Sequence, residues 1–385
     1  MKRRKILAHG AAVTLGTTVA FGTTVMSGTA GLAADSPQWL AGPTQKPAPS
    51  NIGMTDVKQV EAVTSAMRTL DYQFGGGACR DAVVAQLSWA QRLLSASSTD
   101  GVRARLFRAL ADMQNLAGRT AFDLGLLDPS RQHFTFALQY ARQCADPDLL
   151  SNIMYRIGRV FLHHGAPHEA LSWFQLGQRP AQDSGSELAV AVLCGNEAWA
   201  YAMMGDDVQA RKLLGRSQDE LARADLSEAP DWARFYNETD MNAMIGTVHT
   251  VLSAIDLKHA AIAIPAINQS LAHYDESMSR SRAFMLTALA TNHLRQGDVD
   301  HGVRVGRDAL TLATGLQSKR VTDRLRPLEL AAGKSNDSDS RQLARLIRLH
   351  SSPSGRLANP AGDGSVQAAR GLWPDRQDSV QSSDR

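Results

Sequence analysis

Six side chains suited to molecular recognition recur at matching offsets along the middle of the chain. They are two asparagines, two arginines and two aromatic residues: Asn115, Arg119, Tyr155, Arg159, Asn196 and Trp199. Asparagine can donate to and accept from a peptide backbone, arginine can hold a carboxylate through paired hydrogen bonds, and Tyr or Trp offers rigid apolar contact. These residue types predict a binding surface for a protein or peptide. The alternative for each is that it packs in the core or faces water.

Patterns typical of catalysis are missing from the sequence. It contains no G-x-S-x-G, H-E-x-x-H or P-loop pattern. Their absence argues against the common hydrolase and nucleotide-binding classes. We therefore predict that the chain is not an enzyme and uses no cofactor.

One histidine group has a spacing that resembles a metal site. His163, His164 and His168 lie close together, but Gly165 and Pro167 place them across a turn. Solvated turn residues are therefore the favoured interpretation, and no metal is predicted. The three cysteines form no C-x-x-C pair and are interpreted as buried thiols.

A glycine run near residue 76 could bind an anion. Gly75-Gly76-Gly77 precedes Arg80 at the start of a predicted helix, and its backbone N–H groups are free to cradle a negative charge. A flexible turn is the alternative interpretation.

The elements that would position these residues are helices. Apolar residues behind Thr55, a candidate N-cap, follow three- and four-residue spacing and predict a helix over residues 56–74. Further helices are expected from Cys79 to Ser97 and after Gly101. No comparable stretch alternates with period two. With 385 residues, 43% of them hydrophobic, the chain can bury a sizeable core.

Charge and hydropathy limit the kinds of partner. The formal net charge is +3, from 41 basic and 38 acidic residues, which gives no general reason to expect nucleic acid or an anionic membrane. Beyond the first 34 residues, no run of about 18 apolar residues occurs, so no stable membrane insertion is expected.

Glycines at a fixed interval reveal an internal repeat. Gly125, Gly165 and Gly205 each follow one helical pattern and precede another, with separations of 40 residues. The repeat around Gly165 matches the tetratricopeptide pattern almost fully. In it, a small residue, Gly158, lets two helices approach closely, while Phe174 fills the space beside that contact.

The neighbouring repeats match less completely. One departs at Glu197, where leucine is expected, and another has Gln114 at a usually large apolar position. A later copy surrounds Gly297, and a degenerate pair over residues 238–273 contains Pro265. Because proline costs a helix interior about 3 kcal/mol, a kink or interruption is expected there.

These patterns predict an all-α fold, a right-handed superhelical solenoid of tetratricopeptide-like helix pairs. The predicted organisation is a signal-like or inter-domain linker-like segment at 1–34, a Pro-rich linker at 35–55, the repeat domain at 56–330, an additional helix at 331–349 and a disordered tail at 350–385. The first helix of each pair should line the concave face, where the six recognition residues are expected.

The first residues admit two interpretations. Lys2 to Lys5 precede an Ala-, Gly- and Thr-rich stretch with small residues near Ala34, which is the form of a secretory signal. Arg3-Arg4-Lys5-Ile6-Leu7 also approximates a twin-arginine signal. The segment alone therefore suggests export, with cleavage near Ala34.

Several strings resemble a group of actinobacterial transcriptional regulators that includes negative regulators of sporulation, differentiation and antibiotic production. The strings begin at Phe74, Ala82, Thr120, Pro230 and Ser318, and the resemblance covers most of residues 56–330. Members of that group usually carry a helix-turn-helix domain before the repeats, and none is found in this sequence. The resemblance thus implies regulation through protein or peptide contacts, without direct nucleic acid binding.

The resemblance also implies a different origin for the first residues. Such regulators often have an Arg-Arg-x-x-Leu and Ala/Gly-rich segment between their two domains, and the residues from Arg3 onward resemble it. An inter-domain linker at the start of a shortened protein, and a cytoplasmic location, are then expected.

The sequence-based prediction is a regulatory repeat scaffold that binds a protein or peptide on its concave face, in control of development or secondary metabolism. A homodimer is compatible with it. The alternatives are an exported repeat adaptor for protein assembly and the repeat part of a helix-turn-helix repressor.

Overall fold

The computed structural model describes residues 49–230 and 232–352. The predicted signal-like segment, most of the Pro-rich linker and nearly all of the predicted tail lie outside these residues. Within them the protein is all-helical and has no β-strand. The helices are α1 Met54–Phe74, α2 Arg80–Arg92, α3 Asp100–Asp123, α4 Leu127–Cys144, α5 Pro147–His163, α6 Pro167–Asp183, α7 Glu187–Met203, α8 Asp207–Arg223, α9 Glu238–Leu252, α10 Ala260–His273, α11 Ser279–Gln296, α12 Val299–Thr314, α13 Lys319–Arg324, α14 Arg326–Gly333 and α15 Ser338–Ser351.

Neighbouring helices pack in pairs along the chain. The pairs are α3 with α4, α5 with α6, α7 with α8, α9 with α10, and α11 with α12. The prediction of an all-α fold built from helix pairs is therefore confirmed. None of the described helices has the length and apolar character needed to cross a membrane.

The glycines that revealed the repeat form the turns inside three of these pairs. Gly125, Gly165 and Gly205 have φ values of 78°, 71° and 81°, a left-handed conformation that glycine adopts without a Cβ clash. After Gly165, the N–H of Ala166 donates to the Phe161 carbonyl at 3.0 Å, which is the long hydrogen bond of a Schellman motif. The same helix ending thus recurs every 40 residues because the same residue type is required there.

The close contact predicted for Gly158 is present. A Cβ atom at this position would lie 2.4 Å from the Phe174 ring, well inside van der Waals contact. Phe174 and Ala170 are both fully buried between α5 and α6. A larger residue at 158 would force the two helices apart.

Two local predictions were wrong. Thr55 lies inside α1, and the residue before the helix is Gly53, whose N–H donates to the Asp56 carboxylate at 2.8 Å. The expected interruption at Pro265 is absent, since α10 continues to His273, while the kink stays a prediction. Because Pro265 is the sixth residue of α10 and is exposed, it removes only one early backbone hydrogen bond.

Helices α1 and α3 contact α11 and α13, which come much later in the chain. Asp71 of α1 is fully buried and forms ion pairs with Arg119 of α3 and Arg280 of α11. Asp123, at the end of α3, lies 3.2 Å from Arg280 and 3.7 Å from Arg320 of α13. Two carboxylates and three arginines therefore join helices that are about 200 residues apart in sequence.

Candidate functional site

A cavity of about 170 Å³ opens among the first helices of the pairs. Helices α3, α5, α7, α9, α11 and α13 all contribute side chains to its wall. Its volume is below the roughly 300–1,000 Å³ of typical drug-sized pockets. The cavity therefore has room for one side chain or chain end.

Five of the six predicted recognition residues line this cavity. They are Arg119, Tyr155, Arg159, Asn196 and Trp199. The sixth, Asn115, lies on α3 one turn before Arg119 and lines a smaller adjoining space. The repeat offsets thus place one set of side chains on one common surface.

Asn196 holds the guanidinium of Arg159 in place. Arg159 donates to the Asn196 Oδ1 at 3.0 Å, and Asn196 donates its own amide to the Val192 carbonyl at 2.7 Å. The Arg159 guanidinium lies 4.8 Å from the centre of the Trp199 ring. Since both ends of the buried Asn196 amide have internal partners, its role here is to orient Arg159.

Two arginines of α13 also line the cavity, and sequence reasoning did not select them. The Arg324 guanidinium lies 4.2 Å from the centre of the Trp199 ring and 4.8 Å from that of Phe284. The Arg320 guanidinium lies 4.9 Å from the Phe122 ring. Their separation of four residues, which puts both on one helix face, was the available signal.

The arginines of the cavity fall into two groups. Arg119, Arg280 and Arg320 form ion pairs with Asp71 or Asp123, and we call them the paired arginines. The others contact aromatic rings and, for one of them, Asn196; none makes an ion pair with a carboxylate in the described part of the chain. We call this second group the unpaired arginines: Arg156, Arg159 and Arg324.

One carboxylate belongs to the cavity wall itself. Asp240 of α9 accepts a hydrogen bond from the Tyr274 hydroxyl at 2.9 Å, and burial raises its pKa to about 6 despite that bond. No ion pair joins Asp240 to an arginine within residues 49–230 and 232–352. Six arginines thus surround the cavity against three aspartates, Asp71, Asp123 and Asp240.

Titratable groups near the cavity respond to this excess of positive charge. Burial alone would raise the pKa of Tyr155, but the surrounding arginines, Arg159 foremost, outweigh it and lower the pKa. Burial, followed by repulsion from Arg320 and Arg324, lowers the pKa of His163 to about 2. Burial and repulsion from Arg159 and Arg320 also lower the pKa of Arg324 well below its usual value. The arginines therefore favour negative charge at Tyr155 and disfavour positive charge at His163 and Arg324, while burial still disfavours the charge of Asp240.

The glycine run does hold an anion, but that anion belongs to the protein. The N–H of Gly76 donates to the Asp123 carboxylate at 2.9 Å, and Ser318 donates to its other oxygen at 2.9 Å. Gly76 approaches α3 so closely that a Cβ would lie 2.7 Å from the Thr120 carbonyl oxygen. The predicted anion cradle therefore fixes the Asp123 carboxylate.

The histidines near Gly165 have separate partners. His163 lies 3.1 Å from the Asp323 carboxylate, and His164 hydrogen-bonds through Nδ1 with the Val160 carbonyl at 2.7 Å. His168 is exposed. They do not converge on a common point.

A different histidine group does converge. His293, Asp298 and His301 place one ligand atom each within 4.8 Å of one another. Both imidazoles already contact the Asp298 carboxylate, at 3.0 and 3.3 Å, which accounts for their arrangement without a metal ion.

Comparison of the chain with protein families and with curated proteins found no match. Among solved structures it is similar to one described as the crystal structure of BtubC (BKLC) from P. vanneervenii. The TM-score is 0.42 and the sequence identity 15%, over 75% of this chain and 96% of that one. At these values the similarity supports no inference about function.

Proposed function

We propose that this chain is a binding scaffold that captures a protein or peptide partner on the inner surface formed by the first helices of its pairs. In this proposal the pairs form a right-handed tetratricopeptide-type solenoid. The observation that carries it is the convergence of Arg119, Tyr155, Arg159, Asn196 and Trp199 on one cavity.

The composition of the wall supports a binding role. The cavity combines aromatic rings, which give rigid apolar contact, with arginines, which give charged hydrogen bonds, and these residue types dominate binding hot spots. The side chains lie on helices whose positions are set by the packing of each pair, as in Gly158 against Phe174. A site built on packed helices is preorganised, which lowers the entropic cost of binding.

The resemblance to actinobacterial regulators extends the proposal to a process. We propose that the captured partner is part of the control of development or secondary metabolism and that the protein acts in the cytoplasm. Mass spectrometry of the native N-terminus tests the location. An intact Met1 in the cytosolic fraction supports it, and a chain that starts near Asp35 in the secreted fraction refutes it.

Peptide selection tests the binding site. A displayed library of random peptides would be selected on the purified chain, and the selected peptides would then be titrated against Arg159→Ala and Trp199→Leu. The control is Arg142→Ala, which changes an exposed arginine on α4. Circular dichroism would confirm that each variant is folded.

We expect the selected peptides to bind both cavity variants at least tenfold more weakly, while the control retains the original affinity. Equal affinity for all three variants would show that the peptides bind elsewhere. Failure to select any peptide would count against the proposed function itself.

A further inference from the structure

The unpaired arginines carry charge that the described part of the protein does not balance. Arg156, Arg159 and Arg324 contact rings and an amide, while the nearby carboxylates Asp71 and Asp123 contact the paired arginines. Attraction between opposite charges strengthens as water is excluded, and so does repulsion between like charges. An anion placed among them is therefore attracted by all three.

Two of these arginines contact the same aromatic ring. The guanidinium groups of Arg159 and Arg324 both lie within 5 Å of the centre of the Trp199 ring, so they are no more than about 9 Å apart. Arg159 is also held by Asn196. Both also line the same cavity, and this shared position beside Trp199 is the basis for assigning them one ligand.

The hydrogen-bonding capacity of the pair is largely unused. A guanidinium has five N–H donors. Arg159 donates to Asn196 and also hydrogen-bonds the Tyr155 hydroxyl, whereas Arg324 has only ring contacts within the described residues. Both can therefore donate paired hydrogen bonds to a carboxylate or phosphate, for which the guanidinium has matching geometry.

The rest of the wall sets the size and character of the ligand. Phe284, Met244 and Phe235 line the same cavity, so the group that carries the anion meets apolar surface. The volume of about 170 Å³ allows one group of this kind. The ligand should therefore join one oxyanion to one apolar or aromatic group.

We propose that Arg159 and Arg324 form an oxyanion-binding site within the cavity, which takes a carboxylate or phosphate borne by a small apolar group of the ligand. The paired arginines keep the helices in place, and Arg156 adds to the positive field. This inference deepens the proposed function, since it names the chemistry by which the same cavity recognises its partner.

Matched small probes test the charge requirement with the unaltered full-length chain. N-acetylphenylalanine carries a carboxylate, phenyl phosphate carries a phosphate, and N-acetylphenylalaninamide has the same ring without charge. Binding would be followed by calorimetry and by Trp fluorescence, in a chloride buffer of low ionic strength without phosphate or carboxylate. We expect at least one of the two anions to bind at least tenfold more tightly than the neutral amide. Which anion binds more tightly identifies the oxyanion.

Substitutions then locate the site. In Arg324→Met and Arg159→Met we expect at least a tenfold loss of affinity for the anionic probe. The control is Arg345→Met, which changes an exposed arginine of α15 and should leave the affinity unchanged. If one cavity variant does not fold, the other variant and the charged and neutral probes still decide the outcome.

Three results would overturn the inference: no binding of either anion, equal binding of the neutral amide, or equal affinity in the cavity variants and the control. The failure of the proposed function has a different signature. Peptides that bind the cavity whatever their charge would leave the scaffold standing and remove the oxyanion site. If anionic probes bind but no peptide is selected, the oxyanion site stands and the proposed peptide-binding function is refuted.

Discussion

The paired and unpaired arginines lie around one cavity but have different surroundings. Arg119 and Arg280 have carboxylate partners and are more than 90% buried, and they join α1 and α3 to α11. Arg159 and Arg324 have aromatic neighbours and are only partly buried. The difference indicates that an arginine neutralised by a carboxylate stabilises the fold, whereas an arginine without such a partner is available for a ligand.

The largest loss of stability is expected when a carboxylate partner of the paired arginines is removed. Asp71→Ala removes the fully buried ion-pair partner of Arg119 and leaves Arg280 with Asp123 alone, so the buried charge of Arg119 loses its carboxylate. Breaking a buried ion pair in this way costs about 3–5 kcal/mol. Urea unfolding followed by circular dichroism should show that loss. The control is Asp81→Ala, whose side chain is 96% exposed and which should unfold like the original chain. A cost below about 1 kcal/mol for Asp71→Ala would show that this network does not join the helices.

Acid should lower the stability of the protein by protonating Asp123, a partner of the paired arginines. Burial raises the pKa of Asp123, but Arg280, Arg320 and the Gly76 N–H together outweigh burial and lower it below the ordinary value of 3.8. A group whose pKa is lower in the folded state adds stability above its unfolded pKa, and that stability is lost as the pH falls through the folded pKa. The free energy of unfolding should therefore fall below about pH 4.

The variant Asp123→Asn isolates this carboxylate from the others. At pH 7 it should be less stable than the original chain, and the difference should shrink as the pH is lowered below 4. A difference that stays constant with pH would mean that folding does not lower the pKa of Asp123. Urea unfolding at a series of pH values measures it.

A smaller change in stability, of opposite sign, is expected when one of the unpaired arginines is replaced. Arg324→Met keeps an apolar side chain beside Trp199 and Phe284 and removes a charge that Arg159 and Arg320 repel. Removing a charge that has like-charged neighbours and no carboxylate partner relieves their repulsion. The free energy of unfolding should be unchanged or higher in anion-free buffer. A clear loss of stability would show that Arg324 is a structural residue.

The helix pairs could be predicted from sequence because their signals are local. The turn glycines recur every 40 residues with positive φ, and Gly158 is required by the ring that lies against it. Even the departures from the repeat pattern have a local reason. Glu197 and Gln114 are buried polar residues that bond Gln178 and His133 of adjacent helices.

The second half of the site could not be predicted because its contacts are distant in sequence. Arg280 meets the Asp71 backbone across 209 positions, and Ser318 meets Asp123 across 195. The string that begins at Ser318 resembles known regulators, but nothing in it indicates that α13 lies opposite α5 and α7. The repeat offsets identified the first half of the cavity wall, on α3, α5 and α7, and tertiary contacts determine the other half.

One comparison tests the central claim most directly. The thermal unfolding midpoints of Arg119→Met and Arg324→Met would be measured with and without whichever anionic probe the original chain binds. We predict that Arg119→Met has a lower midpoint than the original chain and still gains stability from the probe. Arg324→Met should have an equal or higher midpoint and gain none. Equal losses of stability, or equal responses to the probe, would contradict the division of these arginines into a structural group and a ligand-binding group.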